Sequence, residues 1–417
     1  MTSTTRAGKA ILAMLVLAGA SGTFVAPPSI AADDQTAHNT SSAEEKKDAA
    51  IEMIDQHIDR FPNPWLMRKS DGEYKWSYTH GLVLLGIEQF YRQTGDRRYL
   101  DYIRKYADHF ISEDGEIETF SVTEFNIDSV NAGKMLFLLY DETGDEHYRR
   151  AMDQLRTQLE YHPRTQSGGF WHKRKYPWQI WLDGLYMAQP FYAEYEKRFG
   201  NDPAAFDDIV SQLVKIEQVT RNPETGLLYH GWDESRLQAW ADPETGLSPG
   251  YWSRAMGWYA MAIVDTYPHI PQDHPGRAEL AGILSRLVEA LEEVQHPSGL
   301  WYQVPDQGNR EGNWLEASGS SMFAYAIAKG VRLDMLPEEK LAVAEHAYRG
   351  IEDRLVYRDD AGNWHLKDVC RSAGLGGTPY RDGSYEYYIS TDRVEDDAHG
   401  LGSFFLAASE ANFSAGE

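Results

Sequence analysis

Hydrophobic residues recur at helical spacing along most of the chain, and the helical stretches come in pairs joined by tight turns. GIEQFYRQTGDRRYLDYIRKYADHF and KMLFLLYDETGDEHYRRAMDQL each run an apolar helical pattern into Thr-Gly-Asp, at 94–96 and 143–145, and out into a second amphipathic stretch. A repeat of about 50 residues is typical of stacked helical hairpins. Looser copies of the unit follow within 185–219, 254–294 and 319–355. The pattern therefore predicts an all-α protein.

The two ends of the chain complete the repeat. HGLGSFFLAASE near the C-terminus is typical of a first helix without its partner, and AEEKKDAAIEMIDQHIDRF near the N-terminus is typical of a second helix without its first. If these two terminal helices pair, the chain contains roughly six hairpins. Closing the hairpins into a ring buries the face that each end hairpin would otherwise expose. We therefore predict an (α/α)6 barrel, a six-hairpin toroid. An open superhelical scaffold is the alternative.

Helix composition and loop length predict how the ring is layered. First helices are rich in Gly, Ala and aromatic residues, as expected of an inner layer, whereas second helices carry more charge. The long connections, such as RTQSGGFWHK and DDAGNWHLK, run from a second helix to the next first helix. They must then gather on one rim, and long loops on a rigid scaffold are where functional residues concentrate.

The first residues are typical of an exported protein. MTSTTRAGKAILAMLVLAGA carries Arg6 and Lys9 before an apolar run, and SIAA then supplies small residues. We predict a signal peptide over 1–32, a polar leader over 33–47 and a single domain over 48–417. The alternative is an uncleaved anchor, but the apolar run is shorter than the roughly 20 residues that a membrane span needs. The expected location is secreted or periplasmic, with no membrane span after cleavage.

Composition narrows the classes of function. The formal net charge is −24, so the surface repels nucleic acid, and no nucleic-acid partner is expected. Cys370 is the single cysteine, so an intramolecular disulfide cannot form. The sequence has no H-E-x-x-H, P-loop or clustered-cysteine motif, and we predict neither a metal nor a cofactor. DRVEDDAHG (392–400) is interpreted as a solvated acidic loop, with cation binding as the alternative.

Two aspartates stand where long loops enter inner helices. Asp183 lies in WQIWLDGLYM and Asp128 in EFNIDSVNAGK, so both are expected on the same rim, on neighbouring hairpins. Burying a carboxylate without partners is unfavourable, which argues for a chemical role. An apolar wall and a second carboxylate both raise a carboxyl pKa, and a general acid near neutrality needs a shift of about 2–3 units. The alternative for each aspartate is a helix N-cap.

Aromatic and basic residues accompany these acids. Flat aromatic faces suit sugar rings, although most tryptophans are core residues, and a solvated loop is the alternative for the basic HKRK segment. Because positive charge is scarce overall, a small basic pocket favours a short acidic ligand, whose carboxylate an arginine can hold with a forked contact. The candidates for this pocket are Trp76, Tyr78, His172, Lys173, Trp181, His230, Trp252, Arg254 and Trp258.

Several segments resemble a known family. FNIDSVNAGK, WQIWLDGLYM, YHGWDES, YWSRAMGW, EASGSSMFAYAIAKGV and AGLGGTPYRDGSYEYYIS look like the unsaturated rhamnogalacturonyl hydrolases, glycoside hydrolase family 105. That family is related to the unsaturated glucuronyl hydrolases of family 88. The similar segments occur in order over nearly the whole chain that follows the leader. The family fold is a six-hairpin α/α barrel, in agreement with the hairpin count above.

The resemblance implies a particular reaction. The substrate is a short acidic oligosaccharide made by a polysaccharide lyase, with a 4,5-unsaturated uronic acid at its non-reducing end. By similarity, Asp183 protonates C4 of the vinyl ether and then takes a proton from the water that attacks C5. Asp128 would stabilise the cation developing at C5 and orient Asp183. The resemblance also implies polar contacts from Ser318 and Gly319, and it requires no metal.

Several alternatives stay open at this point. Rhamnose follows the uronic acid in pectin-derived rhamnogalacturonan fragments, which the family favours, and also in sulfated algal ulvan fragments, from which unsaturated glucuronate would be released. In a different class, a helical repeat can be a non-catalytic binding protein. An ordinary inverting glycosidase or a lyase can also use such a barrel.

Overall fold

The computed structural model describes residues 49–67, 74–200 and 202–413. The predicted signal peptide (1–32) and polar leader (33–47) lie outside the described residues. Among the helices that are described, none has the length and apolar character needed to cross a membrane.

The described residues form helices that alternate between two layers, with a few short strands in the connections. In chain order the helices are α1 (Ala49–Arg60), α2 (Tyr78–Thr94), α3 (Arg97–Phe110), α4 (Asp128–Asn131), α5 (Met135–Thr143), α6 (Glu146–Tyr161), α7 (Leu182–Phe199), α8 (Ala204–Thr220), α9 (Ser253–Thr266), α10 (Gly276–Glu293), α11 (Ala317–Arg332), α12 (Leu341–Arg354), α13 (Tyr385–Ile389) and α14 (Ala398–Phe413). Three antiparallel pairs join β1 (Gln179–Trp181) to β2 (Gly231–Asp233), β3 (Val356–Arg358) to β4 (Trp364–Leu366), and β5 (Val369–Cys370) to β6 (Arg393–Val394).

The inner layer consists of the first helix of each hairpin. Along α7, α9 and α11, small and apolar residues are buried around most of the helix. Outer helices such as α3 and α6 bury one face and carry charged residues on the other, as amphipathic surface helices do. The second inner position is interrupted, because α4 continues through a 3-10 turn (Ala132–Lys134) into α5. The predicted layering is confirmed.

Contact between the last and first inner helices closes the ring. α14 packs against both α11 and α2, and α1 packs behind α14 as its outer partner. The approach is close, because a Cβ added to Gly402 of α14 would lie 2.8 Å from the backbone carbonyl carbon of Leu82 on α2. The predicted (α/α)6 barrel is confirmed, and the open-scaffold alternative is wrong.

The two Thr-Gly-Asp turns share one geometry at the end of the barrel where inner helices lead into outer ones. Gly95 and Gly144 have φ angles of 71° and 67°, a left-handed conformation that glycine adopts without steric penalty. The hydroxyl groups of Thr94 and Thr143 each donate to the carbonyl four residues back, at 2.7 Å. The repeated motif is therefore a helix-ending turn.

The long connections meet at the other end of the barrel and are tied together there by the small sheets. β1 leads directly into α7, and its pairing with β2 sets Gln179 opposite Asp233. The backbone N–H of Leu182 donates to the carbonyl of His230 at 3.1 Å. Because these contacts join consecutive rim loops, the start of α7 and residue 230 are held side by side.

We expect Gly402→Ala to destabilise the barrel by about 1–3 kcal/mol, the usual range for overpacking. The new methyl group would collide with backbone atoms of α2, which cannot move aside as a flexible side chain can. Gly282→Ala on outer helix α10 is the matched control, since its Cβ would meet only the Arg286 guanidinium, at 3.4 Å. That change should stabilise by about 0.5–1 kcal/mol through helix propensity. Urea unfolding measures both variants, and equal effects would contradict close packing at the ring closure.

Candidate active site

One cavity of about 640 Å³ opens among the rim loops and contains both predicted acids. Among the residues predicted from sequence, those that line it are Trp76, Tyr78, Asp128, His172, Lys173, Trp181 and Asp183. Further lining residues come from the same loops and from the segment after β5, among them Lys75, Glu124, Arg174, Lys175, Tyr176, Ser372 and Arg381. Asp128 and Asp183 therefore face the same space.

Asp183 is held by a histidine from the neighbouring rim loop. It is the second residue of α7, whose N-cap is Trp181, so Asp183 is not the N-cap of its helix. Its carboxylate Oδ2 lies 3.1 Å from His230 Nε2, and His230 Nδ1 lies 2.7 Å from the Tyr388 hydroxyl. An ionised carboxylate can only accept, so Nε2 carries the hydrogen of this bond and His230 donates it to Asp183. Tyr388 thereby orients the ring that orients the acid.

The pKa of Asp183 differs from the prediction. Burial raises the pKa of this carboxyl group, but the electrostatic interaction and hydrogen bond with His230 outweigh burial and hold the pKa below its ordinary value. The sequence-based prediction of a raised pKa is therefore wrong for this pocket. The apolar surroundings raise the Asp183 pKa as predicted. His230, which lowers it, comes from a different rim loop, so the sequence around Asp183 does not reveal it.

Asp128 is paired with a lysine. It begins α4, whose N-cap is Ile127, and its carboxylate Oδ2 accepts a hydrogen bond from Lys173 Nζ. The two side chains are 13% and 18% exposed, so the ion pair is largely withdrawn from water. Burial raises the pKa of Asp128, but Lys173 outweighs it and holds the pKa below its ordinary value. Asn126 and Lys173 also form a β-bridge, which aligns the two loops that supply the pair. Neither acid serves as a helix N-cap.

An aromatic wall covers one side of the cavity. The rings of His172 and Trp181 stack with centroids 4.2 Å apart, and Tyr176 stacks on Trp181 at 4.9 Å. Burial lowers the pKa of His172 to about 3, so this ring is uncharged at neutral pH. His172 therefore contributes a flat face and hydrogen-bonding atoms rather than positive charge.

The other predicted residues lie behind the pocket wall rather than on it. These residues are His230, Trp252, Arg254, Trp258, Ser318 and Gly319, and all are buried. Arg254 is 1% exposed; its guanidinium donates to the Ser318 hydroxyl at 3.2 Å and to the carbonyl of Cys370, and it lies over the Trp252 ring at 4.7 Å. A direct contact between these residues and a ligand stays a prediction.

Glu316 explains why Ser318 and Gly319 are held so firmly. Its carboxylate accepts hydrogen bonds from the backbone N–H groups of both residues, at 3.0 and 2.6 Å, and from the N–H of Cys370 at 2.9 Å. This side chain caps α11 and ties it to β5. Sequence reasoning did not single out Glu316, although an acid directly before an inner helix was the available signal.

Arg381 is a functional candidate that sequence reasoning missed. Its guanidinium lies over the Trp181 ring at 5.7 Å and donates to the Tyr176 hydroxyl at 2.9 Å, so it extends the aromatic wall. It is also held by the carbonyl of Gly376, at 2.8 Å from Nε. An arginine within a glycine-rich turn was the only local signal, and nothing in the sequence places that turn against α7.

The charge of the pocket is opposite to that of the chain. Five basic side chains line it (Lys75, Lys173, Arg174, Lys175 and Arg381) against three carboxylates (Glu124, Asp128 and Asp183), whereas the whole chain has a net charge of −24. A local excess of positive charge draws an anionic ligand to this site. Within the described parts of the chain, no group of three or more His, Cys, Asp or Glu residues is placed to hold a metal ion.

Two carboxylates in one pocket are the catalytic groups that most glycoside hydrolases use. Together with the helical barrel they define a class, an α/α-barrel glycoside hydrolase. The sequence model of Glycosyl Hydrolase Family 88 matches residues 50–414, and the chain belongs to that family. It is therefore a glycosidase, and the non-catalytic binding protein considered above is the wrong alternative.

Individual relatives agree with this family. A glycoside hydrolase of family 105 from C. acetobutylicum ATCC 824 is 46% identical, with a TM-score of 0.83 over 87% of this chain and 99% of its own. Protein Atu3128 of Agrobacterium fabrum is 38% identical over 54% of this chain and 98% of its own length. The unsaturated rhamnogalacturonyl hydrolase YesR of Bacillus subtilis is 27% identical over 85% of this chain and 94% of its own length. The resemblance to family 105 that the motifs indicated is confirmed.

We expect Lys173→Met to destabilise the protein by about 2–4 kcal/mol at neutral pH, because it leaves the Asp128 carboxylate buried without its cation. In the wild type the lowered Asp128 pKa contributes stability above its unfolded value of about 3.9, and that stability is lost as pH falls through the folded pKa. Without Lys173, burial raises the Asp128 pKa instead. The difference between wild type and variant should therefore shrink towards about pH 4.

Urea unfolding at several pH values measures this difference. The matched control is Lys175→Met, an exposed lysine of the same loop, which should change stability by less than about 0.5 kcal/mol. A loss of stability that is the same at acidic and neutral pH would show that Lys173 acts through packing instead of through the Asp128 charge.

Proposed function

We propose that this glycosidase removes the 4,5-unsaturated uronic acid from the non-reducing end of oligosaccharides released by polysaccharide lyases. The first candidate is unsaturated galacturonyl-rhamnose from the rhamnogalacturonan of pectin, and the relative YesR, an unsaturated rhamnogalacturonyl hydrolase, supports this choice. The observation that carries the proposal is the pair Asp128 and Asp183, which share one pocket but have different partners, Lys173 and His230. An acid pair in distinct environments suits a division of roles.

The proposed reaction adds water across the vinyl ether. Asp183 gives a proton to C4, the double-bond electrons form the new C4–H bond, and positive charge develops at C5 and the ring oxygen. Water then bonds to C5 and returns a proton to Asp183. The resulting hemiketal opens and releases the neighbouring sugar. Asp128, kept anionic by Lys173, stabilises the positive charge in a site withdrawn from water.

Substrate binding favours the protonated form of Asp183. His230 keeps the Asp183 pKa below its ordinary value. A bound uronate brings a second negative charge and excludes water, and both effects raise a carboxyl pKa. Because His230 occupies Oδ2, the other oxygen, Oδ1, is the one that carries the transferred proton. Protonation is thereby coupled to occupancy by an anionic ligand.

The basic side chains around the pocket are the proposed site for the uronate carboxylate. Lys173 is already matched by Asp128, and the Arg254 guanidinium is engaged with the Cys370 carbonyl and the Ser318 hydroxyl. Arg381 lines the cavity beside the aromatic wall, where a sugar ring would stack. An arginine can hold a carboxylate with two parallel hydrogen bonds.

A second candidate is an unsaturated glucuronyl substrate from ulvan, in which the leaving rhamnose carries a sulfate. The observation in its favour is the exposed pair Arg174 and Lys175 in the cavity lining, which offers positive charge beyond that needed for one carboxylate. Turnover of the two unsaturated disaccharides, measured side by side, decides between the two leaving sugars.

We expect Asp183→Asn to lower kcat by about 10²–10⁴-fold, the usual contribution of a general acid or base. The measurement is loss of the enol ether's ultraviolet absorbance on incubation with lyase-generated disaccharides. A lyase would raise that absorbance instead, and an ordinary glycosidase would leave it unchanged. Asp207→Asn is the matched control, because this aspartate on outer helix α8 has a side chain that is 77% exposed. Full activity of Asp183→Asn would contradict the assigned role.

We also propose that the chain is exported through residues 1–32, supported by the basic start and short apolar run of MTSTTRAGKAILAMLVLAGA. Expression of the full chain in a bacterial host, followed by intact mass measurement of the exported protein, should show removal of about 30 residues, the usual length of such a segment. Leu15→Asp, which interrupts the apolar run, should keep the protein inside the cell. Equal export of both forms would contradict the proposal.

A further inference from the structure

A second chain of hydrogen bonds reaches the pocket through the start of α2 and the start of α14. The Tyr78 hydroxyl lies 2.8 Å from His399 Nε2, and His399 Nδ1 lies 2.7 Å from Asp397 Oδ1. Tyr78 lines the cavity, whereas His399 and Asp397 are 2% and 3% exposed and lie behind it. The interpretation of 392–400 as a solvated acidic loop is therefore wrong for Asp397, whose side chain is enclosed at the start of α14.

The protons of this chain have one consistent arrangement. Burial raises the pKa of Asp397, but His399 outweighs it and holds the pKa below its ordinary value, so the carboxylate is anionic. Burial lowers the pKa of His399, which leaves the ring uncharged. Burial raises the pKa of the Tyr78 hydroxyl well above its ordinary value. His399 Nδ1–H therefore donates to Asp397, and Nε2 accepts the hydrogen of Tyr78.

The consequence concerns the face that Tyr78 presents to the pocket. Its hydrogen is directed backwards to His399, so the phenol oxygen offers lone pairs to the cavity. Tyr78 lines the same cavity as Asp128 and Asp183, and the negative charges of both acids raise the pKa of its hydroxyl. The start of α2 is also tied to α4, since Asn131 Nδ2 donates to the Tyr78 carbonyl at 2.9 Å. The residue that supplies the acceptor is thus fixed to the helix that begins with Asp128.

We propose that Asp397 and His399 are positioning residues that make Tyr78 a hydrogen-bond acceptor for the water that attacks C5. This inference rests on the proposed function. One water hydrogen passes to Asp183 while the other is held by the Tyr78 oxygen, which directs the water's free lone pair at C5. The second hydrogen stays on the new hydroxyl group, so Tyr78 ends the step unchanged. Two fixed acceptors orient a nucleophile that one acceptor would leave free to rotate.

Methanol distinguishes this role from simple sugar binding. It has one hydroxyl hydrogen, which Asp183 takes, so it gains nothing from Tyr78. Addition of methanol at C5 gives a methyl ketal that keeps its glycosidic bond, whereas water gives the released sugar. The ratio of methyl ketal to hydrolysis product in water–methanol mixtures therefore reports how strongly the enzyme favours water.

We expect Tyr78→Phe to raise this ratio by about 2- to 10-fold, the value of one neutral hydrogen bond. Asp397→Asn should also raise the ratio of methyl ketal to hydrolysis product. The amide N–H of the new side chain can donate to His399 Nδ1, so Nε2 would carry the ring hydrogen and the Tyr78 hydrogen would turn towards the pocket. Tyr259→Phe is the matched control, a buried tyrosine whose hydroxyl donates to the Leu213 carbonyl at 2.7 Å, and it should leave the ratio unchanged.

Thermal melting identifies any variant that fails to fold. If Asp397→Asn does not fold, the ratio measured for Tyr78→Phe alone tests the inference. If the folded variants give the same ratio of methyl ketal to hydrolysis product as the wild type, the inference is overturned. If KM also rises while that ratio is unchanged, Tyr78 is assigned to sugar binding instead. Absence of any absorbance loss with the wild type would instead remove the proposed function itself, before the ratio is measured.

Discussion

The requirement that a buried carboxylate have its own partner organises the rim of this barrel. Asp128 is matched by a cation and Asp183 by a histidine hydrogen bond, and without them burial would drive both groups to their neutral forms. The two partners differ in kind. A lysine holds a fixed charge close to its acid, whereas a histidine that donates one hydrogen leaves its acid able to gain a proton when a second anion arrives. Unequal partners allow two similar acids to act differently in one pocket.

Those partners can meet because the rim loops are joined to one another. Lys173 reaches Asp128 across a β-bridge between loops, and the pairing of β1 with β2 brings His230 to the start of α7. The ring supplies the rigid base, since α14 packs directly on α2 with no room for a side chain at Gly402. A closed barrel thus fixes the helix starts, and the small sheets fix the loops between them. Catalytic geometry needs both, because a displacement of about 1 Å is enough to lower a rate severely.

The distribution of charge lets the pocket attract an anionic ligand while the rest of the surface repels anions. A chain of net charge −24 repels long polyanions over its surface, while the basic lining of the pocket attracts one anionic group. The pocket is also served by two tyrosine–histidine–aspartate chains whose order relative to the cavity is reversed. At Asp183 the carboxylate faces the cavity and the phenol of Tyr388 lies behind, whereas at Tyr78 the phenol faces the cavity and Asp397 lies behind.

The sequence by itself determined the hairpins, their layering, the functional rim and the two acids on it. These features depend on helical periodicity and turn residues such as Gly95, which act between near neighbours in the chain. Only the tertiary structure decided the partners of those acids. His230 and Tyr388 are 158 positions apart, and no local pattern relates them. The same holds for Arg254, whose position beside α9 was visible in sequence but whose guanidinium is turned to the Cys370 carbonyl, 116 positions away. A side chain's pKa and direction follow from packing between distant segments, and that packing exists only once the ring has closed.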